Sequence, residues 1–300
     1  MARLFQIANE RLSLLIHEHG CSMARLVLKG LPSPLMGLSS IAMYEKNPPS
    51  YAGAVVGPLC GRIKQGLVPI GKRICQLSVN EQGLNHLHGG EASLSHLKWT
   101  MTKLSTESMT LEAALPDGLE GYPGNRKFSC TYSLDQGTIV INLQARTDKP
   151  TLFNLTSHAY WNLNGDFTTS VGNHNGFFPA TQFYPNDSHF VPQKSLSVAG
   201  TPFDFTRGRL LKTTGQGINN ALHTSRGNVK GSLYSLSVET DAPDIWLYTG
   251  EFLGDETVIE GNIKGTSFCA FALEPQQVLI PLVTNPGELW QRTIRFTLAY

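Results

Sequence analysis

Along most of this chain apolar and polar residues alternate at every step, and no stretch sustains the three-to-four-residue spacing of an amphipathic helix. At the C-terminus TIRFTLAY places Ile294, Phe296, Leu298 and Tyr300 on one face. LKWTMTKLS, TIVINLQAR, GSLYSLSVET and DIWLYTGEF read in the same way as strands. Turn formers separate them, with 29 Gly and 17 Pro spread evenly along the chain. FSCTYSLDQGTIVINL reads as a hairpin turning at Asp135-Gln136-Gly137, and VETDAPDIWL as another turning near Asp241 to Pro243. The region EASLSHLK after His88 is the one place where a short helical turn is expected. Many half-buried strands must cover their apolar faces with one another, which predicts an all-β fold: a large antiparallel β-sandwich with few or no helices. A length of 300 residues allows two average domains or one large β domain. With no linker, repeat or low-complexity tract, one domain over residues 1–300 is expected. The stretch 172–205, rich in Asn, Gly, Pro and Phe, is expected to form long turns that build a site or its rim.

The charges exclude some classes of partner. Lys and Arg total 24 against 23 Asp and Glu, a formal net charge of +1. That balance gives no support for nucleic acid or an anionic membrane. The N-terminal segment lacks the apolar core of a secretion signal, and no uncharged run approaches a membrane span. The five cysteines (Cys21, Cys60, Cys75, Cys130, Cys269) are scattered and form no CxxC pair. Reduced thiols and a cytoplasmic location are expected, without a thiolate zinc site.

Several residues could carry chemistry. Of the nine histidines, four form the pairs His17/His19 and His86/His88. Such pairs on a strand share a face and can bind zinc if a third ligand, such as His96 or His158, joins them. Two histidines alone make a weak site, so no metal is expected; His17 and His19 read as polar strand residues. In NHLHGG the two glycines let the chain bend after His88, either at a cleft edge or simply at a strand end. Glu274 in LEPQQ follows the apolar run FCAFAL. A carboxylate there is costly unless it is paired or kept for acid/base work. GRIKQG offers Arg62 and Lys64 as a phosphate-binding turn or a solvated one, and lacks the spacing of a phosphate-cradling loop. PDGLEGYPGN reads as a shaped loop, with Asp117 and Glu120 structural. Tyr160, Trp161 and Trp246 could stack on a sugar or pack in the core. His158 in NLTSHAYWNLNG is locally either a tolerated strand histidine or a proton carrier.

In chain order these segments resemble the aldose 1-epimerase (galactose mutarotase) family. NHLHGG is similar to its NxLHGG segment, PDGLEGYPGN to its DGxEGYPG turn and NLTSHAYWNL to its NLTxHxYxNL strand. TPFDF (201–205), LYTGEF, LEPQ and PGE (286–288) look like its TPFDF, YTGN, LETQ and late PGE segments. The likeness runs from about residue 50 to the end. It implies the galactose mutarotase-like sandwich and interconversion of the α and β anomers of a free monosaccharide, an aldose. It implies His158 and Glu274 as the acid/base pair, with His88 and Arg62 holding the sugar, and no cofactor or metal. Ring opening needs a base for the C1 hydroxyl and an acid for the ring oxygen. Unperturbed pKa values are about 4.3 for Glu and 6.5 for His. The expected working pair is therefore Glu⁻/His⁺, with Glu274 favouring the imidazolium.

Some positions depart from the family pattern. GPLCGRI has Pro58 and Gly61 where GRxxNRI has Arg and Asn. Asn219 in INNAL stands where many members carry a sugar-binding Asp, and Trp246 where they carry Gln. Asn219 and Trp246 are thus expected to line the substrate and to alter the preferred sugar. The alternatives are a non-catalytic sugar-binding or regulatory protein on the same fold, a glycoside hydrolase and a hexose-6-phosphate 1-epimerase. The hydrolase lacks a second convincing carboxylate, and the phosphate enzyme calls for a cationic cluster. Oligomeric state is not legible.

Overall fold

The alternating runs pair into two large antiparallel sheets whose inner faces meet in one apolar layer. The computed structural model describes residues 3–46, 50–211, 217–279 and 282–300. Among the described residues the larger sheet has nine strands, in the order Arg209–Leu210, Asn175–Phe177, Arg226–Lys230, Ser235–Thr240, Trp290–Ala299, Thr138–Thr147, Arg126–Asp135, Ser108–Leu115 and Thr100–Leu104. The second has six: Tyr160–Trp161, Phe271–Gln276, Asp244–Tyr248, Asn219–Leu222, Gln182–Tyr184 and Leu196–Ser197. The sandwich inferred from the alternation is therefore present. Helix is sparse among the described residues: a short α-helix at Ile41–Glu45 and 3-10 turns, including Leu94–His96 inside EASLSHLK.

The C-terminal strand shows how the pattern works. Ile294, Phe296 and Leu298 enter the core, while Tyr300, past the strand end, is exposed. The Trp161 ring reaches across from the smaller sheet to Phe296, with centroids 5.3 Å apart. Each such large apolar side chain withdrawn from water stabilises the fold by roughly 1.5–3 kcal/mol before chain entropy is set against it.

The six-stranded sheet is covered on both faces, and the period of two sorts its residues. Trp161, Ile245, Leu247, Phe271 and Leu273 face the sandwich core. Their neighbours Tyr160, Trp246, Tyr248, Glu274 and Gln276 face the other way, into a cavity. Register places Trp246 opposite Glu274 and Asp244 opposite Gln276. DIWLY is buried at every position, which is why it lacks polar alternation.

Two sequence expectations need correction. The hairpin at Asp135-Gln136-Gly137 is present, with Asp135 opposite Thr138 and Gln136 at φ 53°. VETDAPDIWL is not a hairpin: Ser235–Thr240 lies in the nine-stranded sheet and Asp244–Tyr248 in the other. The turn crosses between layers because its polar groups bind the C-terminal strand. Thr240 Oγ1 donates to the Thr293 carbonyl at 2.7 Å, and the Asp241 carboxylate accepts from Thr293 N–H at 3.0 Å. The stretch 172–205 is also more regular than expected, contributing strands to both sheets; its segment around 188–190 forms the rim of the cavity.

Candidate active site

The outer face of the six-stranded sheet floors a cavity of about 600 Å³. All six residues expected to act on or hold the sugar line it: Arg62, His88, His158, Asn219, Trp246 and Glu274. They come from distant parts of the chain: Asn219, Trp246 and Glu274 lie on strands that pair in turn, Arg62 and His88 come from the separate ladder of Arg62–Lys64 with Asn85–Leu87, and His158 from a link between two short strands.

His158 sits between two short strands, Thr156–Ser157 and Tyr160–Trp161. Its N–H donates to the Ala54 carbonyl at 2.8 Å, and its own carbonyl accepts from Gly53 N–H at 3.0 Å. The backbone is thus pinned on both sides. A Cβ at Gly53 would meet the Met23 carbonyl oxygen at 2.1 Å, so glycine is needed for that approach. Glu274 lies on Phe271–Gln276, whose far end is clamped from the other sheet. Arg292 Nη1 donates to Asn154 Oδ1 and to the Leu155 carbonyl, both at 2.8 Å. Asn154 in turn accepts from Gln277 N–H at 3.0 Å and donates to the Gln277 carbonyl at 2.9 Å. Asn154 and Arg292 carry this register and were not singled out from sequence.

His158 Nε2 and Glu274 Oε1 are 3.6 Å apart, beyond hydrogen-bonding length, and both side chains are almost wholly buried. No described residue donates a directed hydrogen bond to the Glu274 carboxylate. Burial pushes Glu274 up to about 8, with the Arg62 charge opposing. Burial likewise pulls His158 down to about 4. The expected Glu⁻/His⁺ state is corrected here: burial is the largest influence on both groups and favours the neutral pair.

His88 follows the strand Asn85–Leu87 at φ 51°, and Gly89 at φ 94° completes the bend. A Cβ at Gly89 would strike the Gly57 carbonyl oxygen at 2.0 Å, which explains the glycine. His88 Nδ1 accepts from Gly61 N–H at 3.3 Å, so the neutral ring carries its proton on Nε2. Burial, then the nearby His158 and Arg62, hold His88 well below the usual imidazole range. His86 departs from the shared-face expectation, because the chain turns out of the strand before His88. Its ring instead contacts Tyr122 Oη at 2.7 Å and the Ser78 carbonyl at 2.8 Å.

Arg62 reaches the cavity already engaged. Its Nε donates to both Glu81 oxygens at 2.9 Å, and its guanidinium lies 5.3 Å from the Phe190 ring centre. Trp246 Nε1 donates to Asn219 Oδ1 at 2.8 Å, so these two departures from the family pattern bind each other. Tyr160 faces the cavity, 4.9 Å from the His158 ring, while Trp161 is core. Asp117 and Glu120 are structural, as expected: Asp117 pairs with Lys149, and Glu120 accepts from Ala92 N–H at 2.7 Å and from Ser78 Oγ.

Sequence reasoning missed Tyr51, Glu81 and Gln276. Tyr51 stacks over His158 at 6.1 Å and meets His88 edge-on at 4.8 Å. Gln276 Oε1 accepts from Cys60 Sγ at 3.4 Å, leaving its amide N–H groups for the cavity. Gln276 shares a strand face with Glu274, and a period-two reading of LEPQ finds it. Glu81 has no local signal.

His88, His158 and Glu274 offer ligand atoms within 4.8 Å of one another. Zinc needs each ligand at about 2.0–2.2 Å and an ionised carboxylate. Burial opposes that ionisation, and the spacing better suits an oxygen atom received between the side chains. The five cysteines are all free. No described helix is long and apolar enough to cross a membrane.

Known proteins resemble this chain along nearly its whole length. Residues 3–297 match the sequence profile of the family described as aldose 1-epimerase. The chain is 31% identical to galactose mutarotase of Sus scrofa, with 98% of this chain and 93% of that protein covered. It is 30% identical to aldose 1-epimerase of Escherichia coli over 81% of this chain and 75% of that one. Among solved structures, a GalM/aldose epimerase homologue from C. elegans superposes with a TM-score of 0.92 at 26% identity, covering 100% of this chain and 99% of the other.

Proposed function

This chain belongs to the aldose 1-epimerase family, and on that premise we propose how its pocket works. The protein is an isomerase that interconverts the α and β anomers of an aldose. In our reading the sugar lies on the floor of the cavity with its C1 hydroxyl toward Glu274 and its ring oxygen toward His158. Glu274 takes the hydroxyl proton as the C1–O5 bond breaks, and His158 gives a proton to O5. Rotation about C1–C2 and reversal of the transfers on the opposite face of C1 close the other anomer. Total protonation is unchanged over the cycle.

The observation that carries this reading is the 3.6 Å gap between two buried, mutually unbonded groups at the floor of a sugar-sized cavity. The neutral pair holds the same number of protons as Glu⁻/His⁺. A bound sugar donates hydroxyls to the carboxylate in place of lost water, which lowers the pKa of Glu274 and moves the proton to His158. His88 Nε2–H and the Gln276 amide supply donors to sugar oxygens. Arg62, held by Glu81, supplies its remaining N–H groups. Tyr160 and Tyr51 back the imidazole of His158.

The same pocket favours an unphosphorylated sugar. Arg62 is the one Lys or Arg among the described lining residues, and Glu81 already balances it. Glu256 and Glu274 add carboxyl groups to the wall. A phosphate dianion finds no unpaired cation there.

Polarimetry of freshly dissolved α-anomers tests the assignment. Glu274→Gln and His158→Gln should each lower kcat by about 10²–10⁴-fold, with KM changed only a few-fold. Wild-type rates in both variants would remove His158 and Glu274 from the chemistry.

A further inference from the structure

Two side chains in the cavity satisfy each other rather than a ligand. Trp246 Nε1–H donates to Asn219 Oδ1 at 2.8 Å, and both residues are buried in the pocket wall. This indole has no second donor, and it takes one of the two lone pairs of the amide carbonyl. The other end of the Asn219 amide lies against the Glu251 carboxyl, which Thr249 also approaches. From Trp246 the wall continues through Tyr248 and Phe252 to Phe190. The Tyr248 and Phe252 rings stack at 6.4 Å, and Phe190 meets Phe252 edge-on at 5.3 Å. The Tyr248 hydroxyl accepts from Phe252 N–H at 2.9 Å. His88, Arg62 and Gln276, by contrast, keep N–H groups free for a ligand. The indole of Trp246 itself therefore presents only ring carbon to a ligand.

We infer that this pocket selects a deoxyaldose, a sugar lacking the hydroxyl that would lie against Trp246. The inference rests on the epimerase reading above and adds the class of substrate to it. A hydroxyl pressed against the indole loses water and gains no partner from the ring, whereas a C–H or methyl group there loses nothing. A wall built to hydrogen-bond that hydroxyl would reject the deoxy sugar strongly; a wall whose polar groups are matched internally imposes no such penalty. Removal of the hydroxyl should therefore raise kcat/KM, by roughly tenfold, as expected for one stranded polar group.

The experiment compares kcat/KM for D-glucose and D-galactose with those for their 2-deoxy and 6-deoxy counterparts. At one of these positions the deoxy sugar should exceed its parent, and the advantage should fall in Trp246→Gln, which returns an amide donor and acceptor to the wall. Trp246→Phe keeps a ring but frees Asn219 Oδ1, and should reduce the advantage part of the way; it reads the same effect if the Gln variant does not fold by circular dichroism. Deoxy-to-parent ratios at or below one at both positions overturn the inference, as does a ratio that folded Trp246 variants leave unchanged. Should wild-type protein exchange no anomer of any sugar, the epimerase reading fails instead. Calorimetric dissociation constants for the same sugars and variants then decide the selectivity on the same ratios.

Discussion

Between them His158 and Glu274 hold one titrating proton over a definite range of pH, wherever in the pair it resides. Below about 4 the pair gains a second proton as His158 charges. Above about 8 it loses its only one as Glu274 ionises. The first state has no base and the second no acid, so kcat/KM should be bell-shaped, with limbs near those values belonging to the pair. Glu274→Gln should remove the upper limb from whatever activity remains; a profile flat from pH 4 to 9 in the wild-type protein would sink the acid/base scheme. Local sequence could not assign His158, since NLTSHAYWNLNG suits a strand histidine equally well. Its company in family order supplied the role. The charge state was misjudged because a residue's type carries its ordinary proton affinity and not its burial. Trp246 and Asn219 were found as departures from a pattern, but that they bind each other depends on neighbouring strands placing Trp246 and Asn219 within reach.

At the scale of elements, the strand bearing Glu274 is held in place by a cation from the opposite sheet. Arg292→Met removes the partner of Asn154 Oδ1 and the Leu155 carbonyl while keeping much of the side-chain volume. We expect a loss of about 3 kcal/mol in urea unfolding, because charged hydrogen bonds at a buried site are being broken. It should also lower kcat more than it raises KM, since Glu274 and His158 flank the clamp. An unchanged unfolding midpoint would show that the clamp is dispensable. His174 makes a second joint: its Nε2 accepts from Leu163 N–H at 2.8 Å in a buried setting. His174→Phe should cost about 1–3 kcal/mol by stranding that N–H, with anomer exchange per folded molecule little changed; a melting temperature equal to wild type would contradict this. Individual strands were legible because alternation is a local property. Their partners were not, as VETDAPDIWL shows: the turn signal at Asp241–Pro243 was correct, yet each flanking strand pairs with a distant one.

Across the whole molecule buried and half-buried histidines set the response to acid. His17, His19, His86, His88, His96, His158 and His174 all have pKa values lowered, with burial the largest cause. Each takes up a proton in the unfolded chain near pH 6.5 and resists doing so when folded. Unfolded protein thus binds more protons, and stability falls as pH drops from about 6.5 toward 4. Glu251 and Glu274 work in the opposite sense: raised to about 7 and about 8, they hold protons that the unfolded chain has released. Their effect is to reduce stability as pH rises from about 4.5 through those values. Histidines outnumber them, so the melting temperature should peak near neutrality and decline steeply by pH 5. A melting temperature constant from pH 5 to 7 would show that these histidines titrate alike in both states.

By itself the sequence determined the class of fold, the chemical family and six of the residues that meet in the pocket. Alternation dictates sheets because side chains on a strand project to opposite faces every second residue, and ordered motifs carried the likeness that named His158, Glu274, His88 and Arg62. Tertiary structure alone decided which strands became neighbours and how dry their side chains became. Those two facts set the 3.6 Å gap between His158 and Glu274, their shifted proton affinities, the Arg62–Glu81 pair and the bond between Trp246 and Asn219. Each depends on distance and desolvation between groups far apart in the chain, which one-dimensional order does not contain.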